Sequence, residues 1–217
     1  MKLIIFGATG MVGGGLLRVA LESPNVESVL SVGRRSCGLQ HPKLQELLLS
    51  DLFASSTVES QLLGYDACIW AVGVSSAGLN EAQYSFITEK LTLHWARNLL
   101  RLNPHLSFCY CSAGEAGGPG MWARVRRRVE IELQSMPFRH SGVVRPGFIR
   151  PAKGVNSQVL AYRVGTIILA PLFPVFVPLL PFLFTTSERL GRAMLRIVDG
   201  RADRFILESA DINQLGQ

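Results

Sequence analysis

Short apolar runs with strand character alternate along this chain with stretches whose apolar positions recur every three or four residues, the spacing of a helix packed by one face. The strand runs are Lys2 to Phe6, Ser28 to Val32, Leu44 to Leu49, Asp66 to Ala71, Leu106 to Cys111, Ser141 to Val144 and Arg204 to Leu207. Between them the pattern predicts helices over Met11 to Leu21, Ser56 to Leu63, Glu81 to Leu102, Met121 to Gln134 and Thr186 to Val198. Strands alternating with helical crossovers predict an α/β fold with a doubly wound parallel sheet and right-handed connections. No internal repeat or low-complexity linker interrupts the order. A chain of 217 residues with 48% hydrophobic content can bury one sizeable core, so residues 1–217 are expected to form a single domain.

The first strand runs straight into Gly7-Ala8-Thr9-Gly10-Met11-Val12-Gly13 and then a helix. Gly7 lets the chain leave the strand tightly, Gly10 lets backbone approach a pyrophosphate, and Gly13 lets the new helix pack closely on the strand. Phosphates would sit on free N–H groups at the helix N-terminus. An ordinary glycine-rich turn is the plainer alternative. The segment resembles the GxxGxxG fingerprint of atypical and extended short-chain dehydrogenases/reductases. It is most similar to small NmrA-like and Tat-interacting-protein-like NAD(P)-binding members, from Met1 to about Lys153. The resemblance implies a Rossmann-like fold with a small C-terminal substrate lobe, and these residues as a cofactor-binding turn.

The second strand ends Ser31-Val-Gly33-Arg34-Arg35-Ser36, where NAD-selective sites place an acid for the ribose hydroxyls. Two guanidiniums can instead take a 2′-phosphate and stack on adenine, so the expected cofactor is NADP. A basic surface loop is the competing reading. In related proteins an acidic side chain and the next backbone N–H read the adenine edge, which Asp51 and Leu52 match; Asp51 equally fits an N-cap. Ala71-Val72-Gly73 ends the fourth strand, and small residues there let the chain pass under the cofactor ribose; Gly73 also suits a plain tight turn.

The resemblance weakens at the catalytic positions. Ser112 matches the serine that polarises a substrate carbonyl, but the Tyr-x-x-x-Lys pair of the following helix reads Trp122-Ala-Arg-Val-Arg126. An indole N–H does not titrate and cannot shuttle a proton, whereas Arg126 retains positive charge and can hold ribose hydroxyls. Tyr84, His94 and Tyr162 are the other candidate acids. Trp122 also falls on an apolar stripe with Val125, Val129, Leu133 and Met136, which would merely pack the helix. In Arg145-Pro146-Gly147, proline and glycine suit a loop around the nicotinamide end, and Arg145 fits an ion pair equally well.

The net charge of +6 is densest at Arg124-Val-Arg126-Arg127-Arg128. No aromatic residues interleave it, so no nucleic-acid partner is expected, and a solvated helix face with one functional member explains the run. Cys37, Cys68, Cys109 and Cys111 lack metal or disulfide spacing and read as reduced core thiols. Met1-Lys2 leads directly into a strand without a signal-peptide pattern, which points to the cytoplasm.

Residues 150–184 are expected to form an apolar, proline-rich lobe within the domain. Val164 to Phe184 lacks charge, but Pro171, Pro174, Pro178 and Pro181 disfavour a spanning helix. A lid, an oligomer or protein-partner interface and a membrane-surface patch stay open. Two functions follow: a reductase or isomerase-like enzyme acting on a small, partly apolar carbonyl compound, or a non-catalytic NADP(H)-sensing regulator.

Overall fold

The computed structural model describes residues 1–114, 116, 118–150 and 180–217. Seven strands form one parallel sheet: β1 (Lys2–Phe6), β2 (Ser28–Gly33), β3 (Leu44–Leu48), β4 (Ala67–Trp70), β5 (Ser107–Cys111), β6 (Ser141–Arg145) and β9 (Ile206–Glu208). They lie in the order β3-β2-β1-β4-β5-β6-β9. This is the Rossmann-like, doubly wound α/β arrangement, and its order reverses between β1 and β4. At such a reversal the flanking connections leave on opposite faces and open a crevice at the carboxyl ends of the strands.

β1 shows why the sheet is covered on both faces. Leu3 and Ile5 enter one core with α1 (Met11–Glu22) and α5 (Ser187–Val198), while Ile4 and Phe6 enter the other, with α3 (Leu91–Leu102) and α4 (Met121–Ser135). Period-two side-chain direction turns one continuous apolar run into two cores. Phe6 contacts Trp70 and Trp95 at centroid distances of 4.5 and 4.6 Å, anchoring the second core directly beneath the crevice. On the first face α1 and α5 pack backbone to backbone. A Cβ on Gly15 would lie 2.6 Å from the Ser187 Cβ, and one on Gly191 3.0 Å from the Leu16 Cα.

Four elements depart from the sequence expectations. The helix expected over Ser56 to Leu63 is two 3₁₀ turns, Ser55–Thr57 and Glu59–Leu62, parted at Val58. Ser, Thr and Val are weak helix formers, and so short a stretch does not repay helix nucleation. The long helix expected over Glu81 to Leu102 is α2 (Glu81–Ser85), a π turn (Phe86–Lys90) and α3. The loop expected after β6 contains β7 (Phe148–Arg150), which pairs in parallel with β8 (Phe184–Thr186), Phe148 opposite Phe184. A terminal helix, α6 (Ser209–Leu215), follows β9 without having been expected. Tyr162 and most of the proline-rich lobe lie outside the described residues. Among the described residues no helix is long and apolar enough to cross a membrane, and no cluster of metal-ligating side chains occurs.

Candidate functional site

The crevice begins at Gly7, whose φ of 82° favours glycine and whose missing Cβ would lie 2.5 Å from the Ala71 carbonyl oxygen. A Cβ on Gly13 would meet the Gly7 oxygen at 2.1 Å, so the first turn of α1 lies directly on the strand end. No side chain caps α1 and no acid stands in its first turn. Its leading N–H groups and positive dipole end therefore face the crevice, as an anion seat requires. Thr9 is exposed beside it and Ala8 is buried beneath.

Arg34 and Arg35 are both exposed on the loop after β2. Glu46 of β3 ties that loop down: its carboxylate accepts from the Ser36 hydroxyl at 2.7 Å and the Cys37 N–H at 2.6 Å. The Cys37 N–H bond holds the Glu46 carboxyl below its ordinary range. Asp51 accepts from the Phe53 N–H at 2.9 Å in a local turn and caps no helix, since the next one starts from Ala54 with no side-chain cap, while the Leu52 carbonyl accepts from the Trp95 indole at 2.6 Å.

At the far end of the crevice the side chains bond to one another. Ser112 is buried and its hydroxyl donates to Glu130 at 2.6 Å. Glu130, also buried, accepts from both ends of the Arg145 guanidinium, and Arg145 reaches Glu208 at 3.0 Å. Arg145 is thus the ion-pair partner that one sequence reading allowed. Glu130 was missed by sequence reasoning, although a carboxylate on the apolar stripe of α4 is itself a signal of a buried pair.

Arg126 is buried and donates from Nε to the Tyr84 hydroxyl at 3.0 Å and from Nη1 to the Cys111 carbonyl at 3.3 Å. Its Nη2 lies under exposed Gly73, 3.6 Å from where a Cβ there would stand. Tyr110 points its phenol into the same region with no hydrogen-bond partner among the described residues, and burial pushes that phenol well above the usual tyrosine range. Burial likewise raises the Cys111 thiol to about 11. Trp122 is half-buried, with its indole nitrogen beside Gly120, and it joins neither core. Its neighbours Arg124 and Arg128 spend their charge on Glu81 and Glu89, clamping α2 and the π turn against α4. Gly147, expected beside the nicotinamide, is required by packing: a Cβ there would lie 2.5 Å from the Leu183 oxygen. The Pro146 carbonyl accepts from the Gly114 N–H at 2.8 Å, drawing that loop toward Ser112.

Of the other candidate acids, His94 bonds Ser55 at 2.8 Å and lies tilted against Phe53 at a centroid distance of 5.6 Å. A cavity of about 330 Å³ lies away from the crevice, at the edge where β1 begins, and Arg192 and Arg196 in its wall hold backbone carbonyls of Gly216 and Gln217.

No family model matches the chain. Among curated proteins it is similar to Protein FMP52, mitochondrial, of Candida albicans, 26% identical over 152 residues, covering 68% of this chain and 66% of that one. It therefore spans just under two thirds of that relative. Protein fmp52-2, mitochondrial, of Neosartorya fischeri is 26% identical over 221 residues, covering 98% of this chain and 95% of the other. The expectation of a cytoplasmic compartment is corrected by these names, in which each relative is mitochondrial. Among solved structures, a UDP-glucose 4-epimerase aligns with a TM-score of 0.71 at 12% identity, covering 99% of this chain and 80% of that one. A short-chain dehydrogenase/reductase of Saccharomyces cerevisiae aligns at 0.66 and 12% identity, covering 94% of each. The Bordetella bronchiseptica enzyme WbmH, solved in complex with NAD+, aligns at 0.67 and 16% identity over 92% of this chain and 72% of that one. At these identities the likeness establishes the fold: this chain has the architecture of the short-chain dehydrogenases/reductases.

Proposed function

We propose that this chain is an NADP(H)-binding atypical short-chain dehydrogenase/reductase of the NmrA-like, Tat-interacting-protein-like kind that reduces a small, partly apolar carbonyl compound. The glycine cradle fits a dinucleotide, because methyl groups on Gly7 or Gly13 would collide with backbone. Arg34 and Arg35 stand where a 2′-phosphate would fall. NADPH bound there would supply a hydride to the carbonyl carbon.

The observation that carries the catalytic reading is the hydrogen bond from Arg126 Nε to Tyr84 Oη. Trp122 and Arg126 cannot form the usual phenol–cation pair on one helix, yet α2 brings a phenol onto the same cation from outside. The oxygen accepts from Arg126, which leaves the phenolic proton to be donated to a carbonyl oxygen brought against this buried hydroxyl as hydride arrives. The Cys111 carbonyl at the end of β5 holds the Arg126 side of this pair. Glu130 keeps the Ser112 proton, which makes Tyr84 the better donor of the two.

Tyr84→Phe should cut NADPH oxidation by roughly 10²- to 10⁴-fold, with NADPH affinity in titration calorimetry unchanged. Turnover equal to wild type would overturn the assignment of Tyr84. The second reading, a non-catalytic regulator, is favoured by the indole at position 122 and the engaged Ser112. It prevails if the wild type binds NADPH but oxidises none of it across aldehydes, ketones and oxo acids.

A further inference from the structure

Arg126 is a buried cation without a counter-charge. Only 9% of its surface is exposed. Among the described residues no carboxylate pairs with it; both hydrogen-bond acceptors, the Tyr84 hydroxyl and the Cys111 carbonyl, are neutral. The nearby buried acid, Glu130, is saturated by Ser112 and Arg145. Burying a guanidinium is costly unless charge is matched, and its charge cannot be discharged by losing a proton. Two further facts show where the missing charge must come from. Nη2 lies beside the exposed Gly73, 3.6 Å from where a Cβ there would stand, and no hydrogen bond from it to a described residue is seen. The Tyr110 phenol, wholly buried in the same region, has no hydrogen-bond partner among the described residues.

We infer that Arg126 Nη2 is an anion seat completed by the substrate, which carries a carboxylate or comparable acidic group close to its carbonyl. The inference rests on the NADP(H) reading for the position of the carbonyl, and it names the substrate class of that site. Ribose hydroxyls alone would satisfy donors without supplying charge. With the acid on Nη2, the carbonyl is held near the Tyr84 phenol on the opposite edge of the same guanidinium, so one side chain fixes both ends of an oxo acid.

The test uses two pairs of probes, levulinate with levulinamide and 4-phenyl-2-oxobutanoate with its amide, titrated by calorimetry into full-length protein with and without saturating NADPH. In the wild type the acids should bind roughly 10- to 100-fold more tightly than the amides. Arg126→Gln should erase that difference while leaving amide affinity in place, and Arg126→Lys should keep part of it. Equal affinity for acid and amide in the wild type, including no binding of either, overturns the inference, and needs no variant to fold. So does an Arg126→Gln protein that retains the preference. A variant that loses affinity for NADPH instead, with acid and amide still alike, assigns the anion to the cofactor and also overturns it. If no nucleotide binds but the unloaded protein still prefers the acids, the NADP(H) reading fails and the anion seat stands.

Discussion

The two ends of the crevice are built on different principles. At the β1–β2 end the groups proposed to face the cofactor are backbone amides and exposed arginines, positioned by glycine clearance and by Glu46 beneath the loop. At the opposite end two sets of side chains, Ser112 with Glu130 and Arg145, and Tyr84 with Arg126, are each fixed by bonds among themselves and are nearly all buried. A site made of backbone keeps its function as long as its glycines stay. A site made of interlocked side chains can draw its members from several elements, as the bond from Arg126 of α4 to Tyr84 of α2 illustrates, because the network and not one helix face sets the geometry.

The difference is sharpest in how each end should respond to loss. Glu130→Ala leaves Arg145 and Ser112 without their shared acceptor inside the protein, and stability in urea should drop by about 3 to 5 kcal/mol. A loss below about 1 kcal/mol would mean that the network is not structural. Replacing Arg34 and Arg35 together by Ala should do the reverse. NADPH binding should weaken by roughly 2 to 4 kcal/mol, NADH much less, and the urea midpoint should hardly move. Equal affinity of the wild type for the two nucleotides would remove the basis for that contrast.

The buried end should also be the alkali-sensitive one. The Cys111 thiol is raised from 9.0 to about 11 by burial, and Cys68 and Cys109 are raised as well. Above the ordinary thiol range the unfolded chain gives up protons that the native state keeps. Stability is therefore intact below pH 9 and falls as pH climbs toward 11, by about 2 to 3 kcal/mol for Cys111 alone. Unfolding free energies that stay level through that window would contradict the burial of these thiols. At the smallest scale, Arg97→Ala breaks an exposed pair with Glu132, and thermal unfolding should register less than about 1 kcal/mol. A larger loss would show that the outer faces of α3 and α4 are bound as tightly as their inner ones.

How much of this was legible follows the same division. The strand, glycine turn and start of α1 are dictated by neighbours in sequence, and they appear where Lys2 to Gly13 placed them. The central strands and the opening of α4 at Met121 follow from periodicity in the same way. The side-chain network depends on partners far apart along the chain. Ser112 reads as a free hydroxyl until α4 brings Glu130 onto it, and Arg145 remains ambiguous until Glu130 and Glu208 meet it. β7 and β8 are too short to carry an alternating pattern, and Pro146-Gly147 marked their surroundings as loop. The π turn at Phe86–Lys90 leaves the helical periodicity nearly intact, so composition could not reveal it.

The close seating of α1 on α5 has a consequence for how the molecule is made. The helix that opens the crevice precedes, by most of the intervening sheet, the Ser187 and Gly191 against which Gly15 and Leu16 lie. The apolar side of α1 meets Leu3 and Ile5 of β1 early, but its seat on α5 closes only when that distant stretch has been made, and until then part of this core stays open. So long a loop between the two contacting helices also raises the contact order, which places the final docking of α1 among the slow, late events of folding.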